Sequence, residues 1–512
     1  MSKRIILQGK EAMELWRQGK EVWNEWVEKN PVANVSFMSM DFSKNTQRTA
    51  LPKLNFSGFK FPNGNVDFSY ANFGKGDVDF TNTQFGEGGV TFFRTEFGEG
   101  DVSFRDVVFG EGDISFFRTK FGRGFIYFTN AKFGNGNVTF TLAEFDEGDV
   151  NFSGAEFGKG AVSFSGAEFG KGAVNFSDAE FGEGDVNFCL KTFGEGDVNF
   201  VRTQFGKGHV GFSGAVFGKG DVNFSKTQFG EGNVSFIAVE FGKGIVNFSG
   251  AEFGKGDVNF DGTEFGRHAN FSLLNIQDKT ESITFRYAVF SGSIEFSTQS
   301  EINIIPDFIG TKTTNHTSLS GFKYKLQRDR CHLFSKAVNE YDGESLCRLK
   351  EIADSNKEYV TALRFHADEM RAKRWQKERM GTTASLLDWL FDVFSLYGQS
   401  IWRPMAGFLL TITTSLLYTV GFSFPLFTPS SYAQWFTNME NISYQTWVYG
   451  FDITLSRAVP FLGGIRVDGA FALKELEPLL SVNFSLFSAL FSLLAFAFIF
   501  LIGLGLRNRF RL

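Results

Sequence analysis

A twelve-residue phrase, close to F-G-E/K-G-D-V-N-F-S-x-A-E, recurs without a slip from Phe61 to Phe265, giving 17 consecutive repeats. A period this short and strict predicts a stacked solenoid, not a globular core. Solenoids act as rods, caps or binding surfaces, so any activity is expected elsewhere in the chain or on the outer surface of the stack. The phrase also accounts for the composition, with 67 Phe and 57 Gly among 512 residues. Net charge is −6, but residues 61–264 carry 16 Lys+Arg against 29 Asp+Glu, a local −13 that leaves +7 for the rest. An acidic solenoid joined to a basic remainder implies different partners for the two parts.

In the repeat that opens at Phe157, the apolar positions are Phe157, Val162, Phe164 and Ala167, followed by Phe169. Residues two apart share one face of a strand, so Val162 and Phe164 point inward together, as do Ala167 and Phe169. The longer gaps are corners. Gly158-Lys159-Gly160 is the larger one, where glycine's freedom to take φ > 0 suits a tight bend. Each repeat is therefore two short strands and two corners. Rings on neighbouring coils would lie about 4.8 Å apart, and burial of each Phe is worth roughly 1.5–3 kcal/mol.

The units Ala167-Glu168-Phe169 and Val174-Asn175-Phe176-Ser177-Asp178 resemble the A-(D/N)-(L/F)-x-x unit of the pentapeptide-repeat family, with two extra residues in every second unit. Val35-Ser36-Phe37, Leu54-Asn55-Phe56, Ile283-Thr284-Phe285 and Ile294-Glu295-Phe296 extend the likeness over about residues 34–300. The resemblance implies a quadrilateral β-helix with four faces, hence two phrases or about 24 residues per coil. That gives about eleven coils and a length of roughly 50 Å at strand spacing. The alternative is one phrase per coil and a stack about twice as long. Four Phe and four small residues fill a square section, which favours 24.

Residues 1–33 are expected to form a capping helix over the open N-terminal edge. Met13, Trp16, Trp23, Trp26 and Val27 share one helical face and Pro31 ends it. The phrase WNEWVEKNP resembles the N-terminal cap common in the same family. Calcium-binding nonapeptide solenoids need G-x-G-x-D. Here Asp follows the second Gly directly and gives way to Phe125, Ala161, Ala173 and Ile245, so calcium is not expected. Some pentapeptide-repeat proteins are acidic DNA mimics. Corner lysines (Lys75, Lys159, Lys171, Lys207) share their row with Glu87, Glu99, Glu183 and Glu195, and mixed signs read as solvated surface. Nucleic acid is not an expected partner.

Residues 303–385 read as a linker followed by a helical neck, with helices over about Glu344–Ser355 and Lys357–Glu378. Val360, Leu363, Ala367, Met370 and Trp375 trace an apolar stripe on the second. The cluster from Arg364 to Arg374 resembles a segment that precedes the membrane region in channel-like pentapeptide proteins. His366 and its neighbouring carboxylates could be read as a metal or acid/base site, but a charged neck helix is the simpler reading. Cys189, Cys331 and Cys347 are too few and too scattered for a disulfide framework or a zinc site and fit a reducing compartment.

Residues 386–512 read as a membrane domain. An interfacial helix over Leu386–Trp402, with Leu386, Leu390, Val393 and Phe394 as its apolar stripe, precedes two spans at 404–427 and 479–506, each longer than the roughly 20 residues a spanning helix needs. Arg371, Lys373, Arg374 and Lys377 flank the first span, and Arg507, Arg509 and Arg511 follow the second. The positive-inside rule then puts both flanks in the cytoplasm. With no apolar leader visible at the N-terminus, the expected location is a bacterial inner membrane, crossed twice, with both termini cytoplasmic. Gly407, Thr411, Thr414, Ser415 and Gly421 suit helix contacts in lipid.

Between the spans an aromatic run, Ile442–Pro460, leads to Phe461-Leu462-Gly463-Gly464. This order of span, re-entrant helix, Gly-containing turn and span resembles the ion-channel-like domain fused to some bacterial pentapeptide-repeat proteins. The resemblance implies pore candidates Asp452, Pro460, Phe461, Gly463, Gly464 and Asp468, although T-V-G-Y-G is missing and Arg457 and Arg466 lie close to the two acids. A two-span chain cannot enclose an aqueous path alone, so a channel must be a homo-oligomer. The expectation is an oligomeric ion channel whose solenoid is a cytoplasmic sensor or scaffold. A non-conducting anchored scaffold that binds protein partners and a DNA-mimicking regulator are the alternatives. With five His and no nucleophile elbow, phosphate loop or paired catalytic motif, no enzyme and no cofactor are expected.

Overall fold

The computed structural model describes residues 5–43, 54–189, 192–329, 335–376, 378–422, 443–459, 461, 463–476 and 484–510. The chain divides into two compact units, 1–329 with 337–365, and 330–336 with 366–512.

The first unit is a parallel β-solenoid of about 13 turns with about 24 residues per turn. Val138 pairs with Val162 and Val162 with Val186, so two phrases make one coil and the twelve-residue coil is ruled out. Val162, Phe164, Ala167 and Phe169 are all buried. The four Phe of each coil continue four ladders. Phe164, Phe169, Phe176 and Phe181 stack on Phe140, Phe145, Phe152 and Phe157 with centroids 4.9, 4.6, 4.8 and 4.6 Å apart. The two central ladders meet edge to face, Phe152 against Phe164 at 5.6 Å and 87°, which sets positive ring edges against negative faces.

Polar positions of the phrase close the corners. Asn175 Oδ1 accepts the Ser177 backbone N–H at 2.9 Å. The acid after Gly-x-Gly serves the next coil, as Asp197 Oδ1 accepts the Asp221 N–H at 2.8 Å. Where Thr replaces Ala at the small inward position, its hydroxyl donates to a Phe carbonyl one coil back, as Thr203 does to Phe176 at 2.7 Å.

The Gly-x-Gly corner needs glycine for a reason other than the expected positive φ. At Gly182 a Cβ would lie 1.9 Å from the carbonyl oxygen of Gly158 in the neighbouring coil, and φ is not positive. Close stacking of backbone on backbone excludes a side chain there. Apart from Gly74 and Gly194, positive φ falls instead on the opposite corner, at residues such as Gly166, Asp178 and Arg202.

The corner charges are ordered too. Lys75, Glu99, Arg123, Glu147, Lys171, Glu195 and Lys219 follow one another at one-coil intervals and alternate in sign. Lys171 and Lys219 reach Glu147 and Glu195 at 2.8 Å. On the other Gly-x-Gly corner, Lys159, Glu183, Lys207, Glu231 and Lys255 alternate likewise, with Lys255–Glu231 at 2.8 Å. Exposed pairs contribute little stability singly, but a one-phrase slip would set many like charges side by side.

Both ends are closed. The expected single capping helix is two, α1 (Gly9–Arg17) and α2 (Lys20–Lys29), broken where Gly19 takes φ 96°. A short strand, Ile6–Gln8, precedes them and pairs with Asn34–Ser36. Trp23 is buried and donates its indole N–H to Lys60 O at 2.7 Å, while Asn24 Oδ1 accepts the Lys60 N–H at 2.8 Å.

At the far end the coils run past the expected boundary at residue 302. Phe308 stacks on Phe285 at 4.7 Å, and Lys312–Thr313 and Thr317–Ser318 are strands. Burial of inward residues, not the F-G-x-G spelling, sustains a coil. Helix α3 (Asp342–Ser355) and the first half of α4 (Tyr359–Lys373) then cap the last edge. Arg348 and Arg364 donate to the carbonyls of Thr311 and Phe322, both at 2.6 Å. Asn356 and Glu358 accept the N–H groups of Thr317 and Leu319 at 2.8 and 3.2 Å. Side chains thus replace the missing next coil. The expected α4 stripe holds in part: Ala367 is buried and Leu363, Met370 and Trp375 are half-buried, but Val360 is 82% exposed and Ala362 and Phe365 are buried in its place.

Gly182→Ala should destabilise the solenoid by about 1–3 kcal/mol through overpacking, whereas Gly214→Asn, at φ +67° with open space around it, should be nearly neutral; denaturant titration separates them. Burial of Asp342 on α3 pushes its carboxyl up to about 6. The folded form therefore holds a proton that the unfolded form releases, and stability falls as pH rises from about 4 to 6. Asp342→Asn should raise the melting temperature at pH 7.5 by about 2–4 °C and leave it unchanged at pH 4.

Candidate functional site in the helical unit

Among the described residues the second unit contains the end of α4 and five further helices: α5 (Thr382–Ser395), α6 (Trp402–Phe422), α7 (Tyr444–Ala458), α8 (Gly463–Leu476) and α9 (Phe484–Arg509). Helices α6 and α9 are long and apolar enough to cross a membrane, over Trp402–Gly421 and Phe484–Arg509. They lie antiparallel. Ile401 meets Gly505 and Gly407 meets the Phe498 ring, while Tyr418 at the other end packs on Phe487 at 5.0 Å.

Their polarity is inverted relative to a soluble bundle. Thr411, Ser415 and Thr419 of α6 and Ser488 and Gly505 of α9 face inward, while Leu409, Leu410, Leu490, Leu493, Phe496 and Phe500 are exposed. Of the five small or polar residues expected at the contact, Gly407 lies against the Phe498 ring and Thr411 and Ser415 are buried; Thr414 is exposed and open space lies beside Gly421. Helix α5 is inverted as well. Its polar face, Ser385, Asp388, Asp392 and Ser395, is buried, and Leu386, Leu387, Val393 and Phe394 point outward. An exposed apolar area of this extent marks an interaction surface, and with the two long helices it indicates membrane association.

The segment between α6 and α9 contains a helical hairpin. Helix α7 is capped by Ser443, whose Oγ accepts the Thr446 N–H at 3.2 Å. It crosses α8 closely, since a Cβ at Gly469 would lie 2.9 Å from Asp452 O and closer still to the Ser456 side chain. Ile453, Ala472, Leu476 and Phe484 form one apolar cluster with Tyr418, tying the hairpin to both long helices. Asp452 is half-buried on α7 and Asp468 exposed on α8, so both sit on helices and not in a loop. Gly463 and Gly464, expected in a turn, begin α8, and Phe461 is exposed just before it. Pro460 lies outside the described residues. Arg457 is half-buried beside the Phe484 ring, 6.0 Å from its centroid, and among the described residues no carboxylate pairs with it.

A charged knot sits where α4, α5 and the start of α6 meet. Arg374, 3% exposed, donates to Asp388 at 2.6 Å, Asp392 at 2.9 Å and the Tyr397 hydroxyl at 2.5 Å. Tyr397 in turn donates to Asp388 at 2.8 Å. Arg371 clasps Asp392 through two nitrogens, at 3.0 and 2.6 Å, and reaches Asp368 at 2.8 Å. Lys373 pairs with Glu369 at 2.5 Å. His366 Nδ1 lies 3.5 Å from the same Glu369, with its ring against Tyr397. Burial alone would raise the Asp392 carboxyl, but the two guanidinia outweigh it and hold the group below the usual carboxylate range. Burial pushes the Tyr397 phenol up. This pairing therefore stabilises the unit at neutral pH and fails only in acid.

Leu396, Tyr397 and Gly398 are three successive residues with positive φ (49°, 54° and 75°). That turn carries Tyr397 into the knot and sets the Gly398 carbonyl 3.3 Å from Asn508 Nδ2, at the end of α9. Arg403 Nη1 donates to the Val393 carbonyl at 3.2 Å, closing the end of α5.

Three of the expected membrane-flanking cations, Arg371, Lys373 and Arg374, are thus engaged with carboxylates, while Arg507 and Arg509 are exposed on the last turn of α9. Lys377 and Arg511 lie outside the described residues. Asp388, Asp392 and Arg403 were not anticipated, and Tyr397, an aromatic expected at the headgroup zone with Trp389 and Trp402, is buried in the knot instead. The available signal was two acids four residues apart inside the apolar run LLDWLFDVF, matched by Arg371 and Arg374 three apart. Comparisons with family models, curated proteins and solved structures find no match to this chain.

Arg374→Met would take the guanidinium away from buried Asp388, leaving it the Tyr397 hydroxyl, and remove one of two guanidinia from Asp392, and should destabilise the helical unit by about 3–5 kcal/mol. Arg374→Lys should recover little, since an ammonium cannot reproduce the planar fork. Thermal unfolding in detergent, followed by Trp fluorescence, is the measurement.

Proposed function

We propose that the chain is the subunit of an oligomeric membrane channel with its solenoid on the cytoplasmic side as a sensor or scaffold. The observation that carries this reading is the inverted polarity of α6 and α9 together with the helical hairpin held between them. Large apolar side chains such as Leu409, Leu410, Leu493 and Phe500 face out, and Thr411, Ser415, Thr419, Ser488, Gly505 and the half-buried Asp452 and Arg457 face or flank the protein side. Lipid satisfies the outer faces, and irregular or polar structure at membrane depth is tolerated where it borders protein or water. Several copies would have to surround the path, the α7–α8 hairpins lining it. Arg507, Arg509 and the α4–α5 knot lie at the same end of the α6–α9 hairpin, which supports placing both chain flanks in the cytoplasm of a bacterial inner membrane. Partners on this reading are the bilayer, sister subunits, the conducted ions and proteins that dock on the solenoid.

The test is the purified particle. A defined multimer by mass in detergent and discrete currents after reconstitution into planar bilayers are expected, with Asp452→Asn changing unitary conductance or ion preference. An intact multimer silent at every voltage and membrane tension would favour the anchored scaffold instead.

A further inference from the structure

The repeat is its own control, because each coil shows what its neighbours need for folding alone. At one corner some coils need no more than a small pair, as in Ser165-Gly166 and Ser213-Gly214. Two successive coils instead carry Phe93-Arg94 and Phe117-Arg118 at that place, preceded one coil earlier by Tyr70. These side chains build an ordered outer surface. Phe93 and Phe117 stack at 5.8 Å and 8°, and Tyr70 meets Phe93 edge-on at 5.2 Å. Arg94 lies 5.5 Å from the Phe93 centroid and 5.9 Å from that of Tyr70, and Arg118 lies 5.4 Å from that of Phe117. None of this serves the core.

The two guanidinia also depart from the Gly-x-Gly corners, where Lys75, Arg123, Lys171, Lys207, Lys219 and Lys255 each have a carboxylate one coil away and Lys243, between Lys219 and Arg267, does not. Arg94 and Arg118 are like-charged neighbours one coil apart, and among the described residues neither has an ion pair. They form one wall of an open groove with Tyr70 and Leu142; Glu96, Lys120, Glu144 and Glu168 form the other. Lys120 is already matched by Glu144 at 3.5 Å.

We propose that this groove docks an extended protein segment that turns acidic side chains toward Arg94 and Arg118. A carboxylate between the two guanidinia relieves their repulsion and takes charge-assisted hydrogen bonds from both. The opposite wall, with three glutamates, repels a uniformly anionic polymer or surface. In an extended peptide successive side chains point to opposite sides, so acids can face one wall and neutral groups the other. That argues for a peptide over nucleic acid or an anionic bilayer. The inference does not depend on whether the membrane unit conducts.

The probe is a fluorescein-labelled decapeptide of alternating Glu and Ser, titrated with the full-length protein in detergent and read by anisotropy. Saturable binding is expected. It should weaken about tenfold or more in Arg94→Gln/Arg118→Gln and decline as salt rises. Phe93→Ser/Phe117→Ser, which restores the residue of other coils, should also weaken it. Lys219→Gln/Lys255→Gln, with the same loss of net charge elsewhere, should not. Absence of saturable binding, equal weakening in the Lys pair, or tighter binding of oligothymidine or phosphatidylglycerol vesicles at Arg94 and Arg118 would overturn the proposal.

Discussion

The whole N-terminal unit depends on one contact repeated: a Phe ring laid flat on the ring one coil away while the flanking backbone forms a parallel pair. Phe140, Phe164 and Phe188 show it in sequence, at 4.9 and 5.0 Å. Ring spacing and strand spacing are the same length, so packing and hydrogen bonding are satisfied together. Every other feature of the phrase follows from keeping that distance. Glycine at the corner allows the backbones to touch, Asn and Asp bind the corner amides, and Ala or Thr fills the remaining gap without pushing rings apart. Because each coil is satisfied only by its neighbours, the two terminal coils are the weak points. Trp23 and Asn24 at one end, and Arg348, Asn356, Glu358 and Arg364 at the other, supply the bonds that a further coil would have made.

Much of this was legible in the residues. The five-two-three-two spacing of apolar positions assigns Val162, Phe164, Ala167 and Phe169 to the interior, where they lie. The choice between 12 and 24 residues per coil rested on filling a square section, yet a sharper signal was present. Corner charges alternate along Lys75, Glu99, Arg123 and Glu147, which is order at 24, whereas Glu87 beside Glu99 and Lys159 beside Lys171 is disorder at 12. The coils beyond residue 302 were hidden because Phe308, Thr317 and Phe322 keep the inward role without the phrase. The φ argument for Gly182 failed because local bending is visible in sequence, while close approach of a second strand is not.

The helical unit was legible in outline and not in detail. Length and apolarity identify α6 and α9. Helix α8 was missed because Gly463-Gly464 reads as a turn, although glycines can begin a helix when tertiary contacts fix it. Counting Arg371 and Arg374 as free flanking charge overlooked the acids on the next helix. A lone basic run and a basic run facing Asp388 and Asp392 look alike until the two helices are brought together. The result is a buried, fully engaged cluster at the root of both long helices, where hydrogen bonding to several partners makes each member costly to remove.

The two-phrase coil has a consequence for how such a chain can lengthen. A segment of 24 residues can be gained or lost and everything downstream keeps its phase. A single phrase of twelve would turn the remaining stack by half a revolution, carrying outward residues such as Tyr287 to the opposite side and setting Lys171 over Lys159 if it entered between them. Growth by duplication is therefore quantised in pairs of phrases, although the spelling of the sequence repeats at half that interval.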